Sequence, residues 1–341
     1  MGITMANNGI IAFSGGCFIA ETATTVGKKE KKGPMNSWFD ATEEDEYFGQ
    51  STFEQAESEM VHRNLQLLFT KANVQEDTVG AVLGGDLVNQ CTGTSFGVSG
   101  HKIPYIGLYG ACSTIAEGLL LGASLVSGGL LPSAVALASS HFCTAERQYR
   151  FPPEYGSQRP PTAQNTVTGA GAFLLTSEDT GVRVSDGVLG IIVDGGITDA
   201  NNMGAAMAPA AADTILRYFD HSGRSLADFD AIVTGDLGQE GLELTDELLQ
   251  KCGLDIAPKH MDCGVLIYDA KKQDMHAGGS GCGCLATVLG SYFFQRLRRG
   301  ELKRILAIGT GALLSANSAL QKLSIPSVAH AVCIENVCSA Q

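Results

Sequence analysis

Cys112 is the residue whose setting most invites chemistry. It stands in Tyr109-Gly110-Ala111-Cys112-Ser113-Thr114, where a short apolar stretch from Ile103 to Leu108 gives way to a long run of small residues. That pattern predicts a strand-to-helix elbow with the thiol at the helix start. Backbone N–H groups and the positive helix end then face the sulfur. Both favour thiolate, so the thiol is expected to titrate below its free value of about 8.5. A buried structural cysteine is the competing reading, because free Cys is among the most buried residue types.

Composition narrows the chemistry. The chain has 341 residues, 44% hydrophobic and 17% charged, with a net charge of −13. It reads as a well-cored globular protein, and the acidic balance argues against nucleic acid as a partner, since phosphate recognition leans on Lys and Arg. The basic run Lys28-Lys29-Glu30-Lys31-Lys32 is short and reads as a solvated loop, with an anionic membrane surface as the minor alternative. Ten cysteines lack the paired spacing of a disulfide framework, and no secretory signal precedes them, so a reducing, cytosolic-type compartment is expected. Cys282-Gly283-Cys284 and Cys263 lack the second pair that a zinc site needs, so no metal site is expected. The uncharged stretch from Gly118 to Ser140 is broken by Gly128-Gly129 and Pro132, which makes it a buried helix followed by a strand rather than a membrane span.

The elements that must position Cys112 come in two series. Periodicity predicts, in the first part, strand 10–20, a helix from Phe53 to Ala72, strands 78–86 and 103–108, a helix over 112–127, and strands 133–140 and 170–176. The second part reads as strand 184–194, helix 206–220, strand 229–235, helix 241–252, strand 263–269, helix 284–299 and strands 304–312 and 329–335. Ala81-Val82-Leu83-Gly84-Gly85-Asp86-Leu87 matches Ala231-Ile232-Val233-Thr234-Gly235-Asp236-Leu237, and strand 133–140 matches 304–311. Such internal duplication fixes architecture. Two α/β halves, 1–178 with an insert at about 141–166 and 179–341, are expected to pack into a layered α/β/α/β/α domain. The helices at 112 and 284 then lie in the middle layer, which explains why Glu117 is the one charge in the first of them.

With these features in place, the chain resembles the thiolase superfamily. Gly110-Ala111-Cys112-Ser113 resembles the nucleophile segment of its ketoacyl synthase III branch. Thr168-Gly169-Ala170-Gly171-Ala172 resembles the glycine-rich loop and strand that close the first half, and Gly309-Thr310-Gly311-Ala312-Leu313 the glycine turn beside the active site. His276-Ala277-Gly278-Gly279-Ser280-Gly281 is similar to the thiolase His-Pro-x-Gly-x-Ser-Gly element without its proline. Within the superfamily, Gly84 to Gln90, Thr144 to Pro152 and His276 to Cys284 resemble the stage V sporulation protein AD family of spore-forming Firmicutes. That resemblance implies binding of dipicolinate, with calcium as a candidate companion ion, and a role in its uptake into the developing spore. It also implies association with other proteins of the spore membrane transport complex. The expected place is the cytoplasmic side of the forespore inner membrane, peripherally and without a transmembrane segment. The superfamily further implies a homodimer formed through strand 103–108.

Whether catalysis survives is a separate question. A condensing enzyme needs an oxyanion hole and a positioned acid or base beside its nucleophile. Cys112, His276 and the backbone of Gly309, Thr310 and Gly311 are the candidates. Where synthase III relatives carry a histidine element, this chain has Thr234-Gly235-Asp236-Leu237, and a carboxylate there repels a developing oxyanion. Loss of such a group costs on the order of 10²–10⁴ in rate. Binding is therefore favoured over acyl transfer, with no cofactor. For a dianionic ligand the candidate contacts are Cys112, His276, Asp86, His141, Arg147, Arg150 and the 309–311 backbone, with Arg159 nearby in the insert. For Asp86 and Asp236, capping of the next helix is a sufficient alternative reason.

Overall fold

A computed structural model describes residues 4–5, 9–149 and 159–338. The first half contributes strands β1 (Phe18–Val26), β2 (Ala81–Gly85), β3 (Tyr105–Gly107), β4 (Ser133–Ser140) and β5 (Gly169–Thr176). The second contributes β6 (Val182–Val188), β7 (Ala231–Thr234), β8 (His260–Asp262), β9 (Arg304–Ala312) and β10 (Ser327–Asn336). The strands line up as β1-β5-β4-β2-β3 in one half and β6-β10-β9-β7-β8 in the other. In each, the last three are parallel and the first two antiparallel. The duplication seen in two sequence segments thus extends to every principal strand. The halves meet along β6, which pairs with Ile10–Ala12 over three residues and touches β1 at Arg183 opposite Phe18.

Helices fill five layers with these sheets. On the outer face of the first lie α1 (Phe53–Ala72) and α2 (Thr92–Ser99). The α1 helix starts where the Thr52 side chain accepts from the Gln55 N–H and stops at Asn73, whose φ of 53° is left-handed. It buries Met60, Val61, Leu65 and Leu68 against the sheet. The middle layer holds α3 (Thr114–Ser127), which packs on β4 and β2 of the first half and β9 and β10 of the second. It buries Ile115, Leu119 and Leu120 between the sheets but needs glycine at one close approach, where a Cβ at Gly122 would lie 2.6 Å from Leu175 Cδ1. Beyond α4 (Phe142–Tyr149), the second half adds α5 (Met203–His221) and α6 (Gly238–Lys251) on its own outer face. The middle layer is completed by α7 (Cys282–Val288), which continues through a π-turn to Arg298.

Several expected elements differ. The stretch read as strand 10–20 is two strands, Ile10–Ala12 and β1, separated by a turn at Phe13 to Gly16. The expected strand 263–269 is a helix, Cys263–Ile267, because the Asp262 side chain accepts from the Val265 N–H and caps it. A short apolar run does not separate strand from helix, and here the cap decides. Strand 184–194 ends at Val188. The uncharged 118–140 stretch is the end of α3 followed by β4. Among the described residues no helix is long and apolar enough to cross a membrane.

Candidate functional site

The Cys112 elbow forms as a short 3-10 turn, Ala111–Ser113, that runs into α3. Ala111 is left-handed, with φ of 50°, an uncommon conformation for a residue with a side chain. The turn is pressed against β9. A Cβ at Gly309 would lie 2.7 Å from Ala116 Cβ, and one at Gly311 would collide with the Gly110 carbonyl oxygen. Glycine is therefore demanded at both places by close approach rather than by a turn. The 309–311 segment is strand interior, paired with His330, Ala329 and Val328 of β10, and it supports the elbow from below. The expected glycine turn is absent there. Ala312 and Leu314 just beyond it reach the cavity instead.

That cavity, about 70 Å³, lies between the two halves. The first half supplies Leu87, Cys112, Ala145, Glu146, Tyr149, Gln164 and Thr166. The second supplies Ala200, Asn201, Met203, Met207, Asp236, Ser280, Ala312 and Leu314. A short parallel pairing of Asn165–Thr166 with Gly279–Ser280 aligns Thr166 and Ser280 on the wall. The Gln164 amide is fixed by donating to the carbonyls of Asp236 (2.7 Å) and Gly279 (2.9 Å). An open groove of about 470 Å³ adjoins the cavity and shares Leu87, Tyr149, Ala312 and Leu314 with it. The divide is held by α4, whose Tyr149 hydroxyl and Gln148 amide both donate to the Leu87 carbonyl, at 2.6 and 2.8 Å.

The electrostatics around the sulfur reverse the expectation from sequence. The Cys112 thiol is pushed well above its ordinary value, by the neighbouring Cys282 thiol, by burial and by the neighbouring Asp236 carboxyl. The thiol form is favoured because another thiol and a carboxyl face the sulfur, outweighing the helix end. Asp236 is buried, with Oδ1 accepting from the Thr310 hydroxyl at 2.7 Å and Oδ2 from the Gly281 N–H at 2.9 Å. Burial raises its carboxyl to about 7, against the lowering effect of those bonds. The Cys282 thiol donates to the Ala111 carbonyl at 2.9 Å and so ties the start of α7 to the elbow.

Other predicted residues lie elsewhere. His276 does not line the cavity. It sits in a turn with φ of 49°, its Nδ1 2.7 Å from the Pro160 carbonyl and its Nε2 3.3 Å from Asp274. Asp86 borders the outer groove, where its carboxylate accepts from the Val88 N–H and from the Thr94 N–H and hydroxyl, each at 2.7 Å. It therefore caps the start of α2. His141 is buried, donating from Nε2 to the Glu46 carbonyl at 2.8 Å and accepting from the Cys143 N–H, and burial lowers its pKa. Arg147 is exposed and pairs with Glu54. Arg159 bridges Asn165 and Asp274. Arg150 lies outside the described residues. Among the described residues no group of three or more His, Cys, Asp or Glu is arranged to hold a metal.

Sequence reasoning missed Tyr149, Gln164, Thr166, Ser280 and the methionines of α5. Met203 and Met207 are four apart on one helix face, a pattern equally typical of core. Cys282 had a usable signal. It opens the second-half helix that faces α3 in the middle layer.

Comparison with known proteins follows the same lines. The model of the family described as stage V sporulation protein AD matches residues 8–335. Stage V sporulation protein AD of Bacillus subtilis (strain 168) is 42% identical over 318 residues, covering 93% of this chain and 94% of that protein. Among solved structures, 3-oxoacyl-[acyl-carrier-protein] synthase III from Aquifex aeolicus VF5 matches with a TM-score of 0.56 at 10% identity, covering 94% of this chain and 100% of that one. An OleA variant from Xanthomonas campestris matches at 0.57 and 15% identity, covering 94% and 98%. At these identities the structural likeness establishes a thiolase-like fold.

Proposed function

The chain belongs to the stage V sporulation protein AD family, and from that premise we propose that it binds dipicolinate and acts in dipicolinate uptake during sporulation, without turnover. The supporting observation is the cavity between the halves, which joins polar walls to apolar ones around a protonated Cys112. Thr166, Asn201, Ser280 and the Cys112 thiol offer hydrogen bonds to carboxylate oxygens, while Leu87, Met203, Met207 and Leu314 suit the faces of a flat ring. Turnover is disfavoured because no histidine is among the described lining residues and Asp236 holds the place beside the sulfur. Calcium is the candidate companion, since a chelated cation offsets repulsion between the dianion and the Glu146 and Asp236 carboxyls on the wall. Calorimetric titration with dipicolinate, with and without calcium, tests this reading. A Kd of about 1 μM or weaker is expected for a ligand of about a dozen heavy atoms, and absence of heat in both conditions rejects it.

Acyl transfer through Cys112 is the second reading, favoured by the exposure of that residue to the cavity at a helix start. A stable Cys112 adduct in the intact mass after incubation with acyl-CoA would support it over silent binding. The wider proposal places the chain peripherally at the forespore inner membrane, on the cytoplasmic side, docked on other proteins of the transport complex. It also makes the chain a homodimer. Among the described residues strand β3 is paired on one edge only, and Ile106 within it and Tyr109 just after it are exposed. Light scattering should return twice the chain mass, and Ile106→Asp should return one.

A further inference from the structure

Cys112 and Cys282 come from opposite halves, the first on the cavity wall and the second just behind the elbow. The segments that carry them, the elbow and the start of α7, pack directly on one another. The Cys282 thiol donates to the Ala111 carbonyl at 2.9 Å, at the peptide bond that leads into Cys112. Cys112 faces the cavity, whereas Cys282 is buried behind it. Small solutes that enter the cavity therefore reach the Cys112 sulfur, with the Cys282 side chain packed behind the elbow that carries it. The fully exposed cysteines, Cys252 and Cys338, are not in this arrangement.

We propose that Cys112 and Cys282 are a redox-sensitive dithiol, a modification site that a hydroperoxide converts into a disulfide joining the two halves. In the first step the Cys112 thiolate attacks a peroxide oxygen. An S–O bond forms, the O–O bond breaks, and the departing oxygen leaves as water or alcohol with the thiol's proton, leaving a sulfenic acid. The Cys282 sulfur then attacks that sulfur. An S–S bond forms, the S–O bond breaks, and hydroxide leaves as water with the Cys282 proton. The two thiols together lose two electrons, which the peroxide gains. The surroundings that hold the proton on Cys112 make the first step slow at neutral pH and faster as pH rises. Closure draws the Cys112 sulfur toward α7, removes its S–H donor from the cavity wall and ends the Cys282 bond to the Ala111 carbonyl.

The test uses the full chain with Cys252→Ser and Cys338→Ser, beside the unaltered chain, treated with hydrogen peroxide at mildly alkaline pH and then denatured and alkylated. The expected result is a mass lower by two hydrogen atoms before alkylation, two fewer alkyl groups, and a peptide linking Cys112 to Cys282. Dithiothreitol should reverse all three. Addition of Cys282→Ser should leave Cys112 as a sulfenic acid that dimedone traps, with no link. A link between any other pair overturns the proposal. So does full alkylation of both thiols after a treatment that oxidises free glutathione completely, or sulfinic acid at Cys112 with Cys282 still free.

Discussion

Asp86 follows β2 in the first half and Asp236 follows β7 in the second, at matching places in a repeated sequence, yet they carry different loads. Asp86 accepts from Val88 and Thr94 and so caps its own following helix. In the second half that work passes to Asp262, at the end of the neighbouring strand β8. Its carboxylate accepts from the Leu237 N–H at 2.9 Å, the Gly238 N–H at 3.0 Å, the Val265 N–H at 3.2 Å and the Thr234 hydroxyl at 2.7 Å. Register explains the exchange. Thr234 lies opposite Asp262, whereas its counterpart Gly84 lies opposite Gly107, which has no side chain to offer. Asp236 is thereby released from capping and turns to Thr310, Gly281 and the Cys112 sulfur. A duplicated fold can free a residue for a cavity by moving its structural task to a neighbour.

The comparison breaks first at stability. Asp262→Ala leaves several buried donors without an acceptor and is expected to cost about 3 kcal/mol or more, with Asp86→Ala costing about 2 kcal/mol, by urea denaturation. Asp236→Asn should cost less than either, and equal losses for all three would erase the distinction. A pH series sharpens it. Burial lifts the folded Asp236 carboxyl to about 7, above an unfolded value of about 3.9. The folded chain then holds a proton that the unfolded chain releases, so this contribution to stability is complete below about pH 4 and is lost as pH rises through about 7. Asp236→Asn should flatten that decline. It should also abolish a weakening of dipicolinate binding above about pH 7, where the ionised carboxyl repels the dianion. The smallest effect is expected for His276→Ala, whose side chain faces Pro160 and Asp274. Titration should give a Kd within about twofold of the parent, and loss of binding would return His276 to the site.

Much of this arrangement can be read in the residues, for identifiable reasons. The repeat at 81–87 and 231–237 is legible because each apolar run ends in the same Gly-Asp-Leu, and from it follow the two halves and the middle layer. Cys112 is legible because an elbow before a small-residue helix has few other readings. His276 misleads because its motif is a local string, while its placement depends on the turn through Met275 to Gly281. The direction of the Cys112 titration could not be inferred, since Cys282 and Asp236 approach it only through tertiary packing. Gln164 and Tyr149 were equally hidden: each reaches the cavity through bonds to distant carbonyls, at Asp236, Gly279 and Leu87.

The seam at Arg183 and Phe18 bears on how the cavity accommodates a guest. Beside it β6 pairs with Ile10–Ala12 over three residues, Asn165–Thr166 pairs with Gly279–Ser280 at the cavity wall, and α3 and α7 pack apolar surface between the sheets. Lateral slip of one half over the other would break these directional bonds, so the joint resists it. The clearance above Cys112 is therefore fixed by backbone rungs that tie the halves together, and access is tuned by the wall side chains themselves.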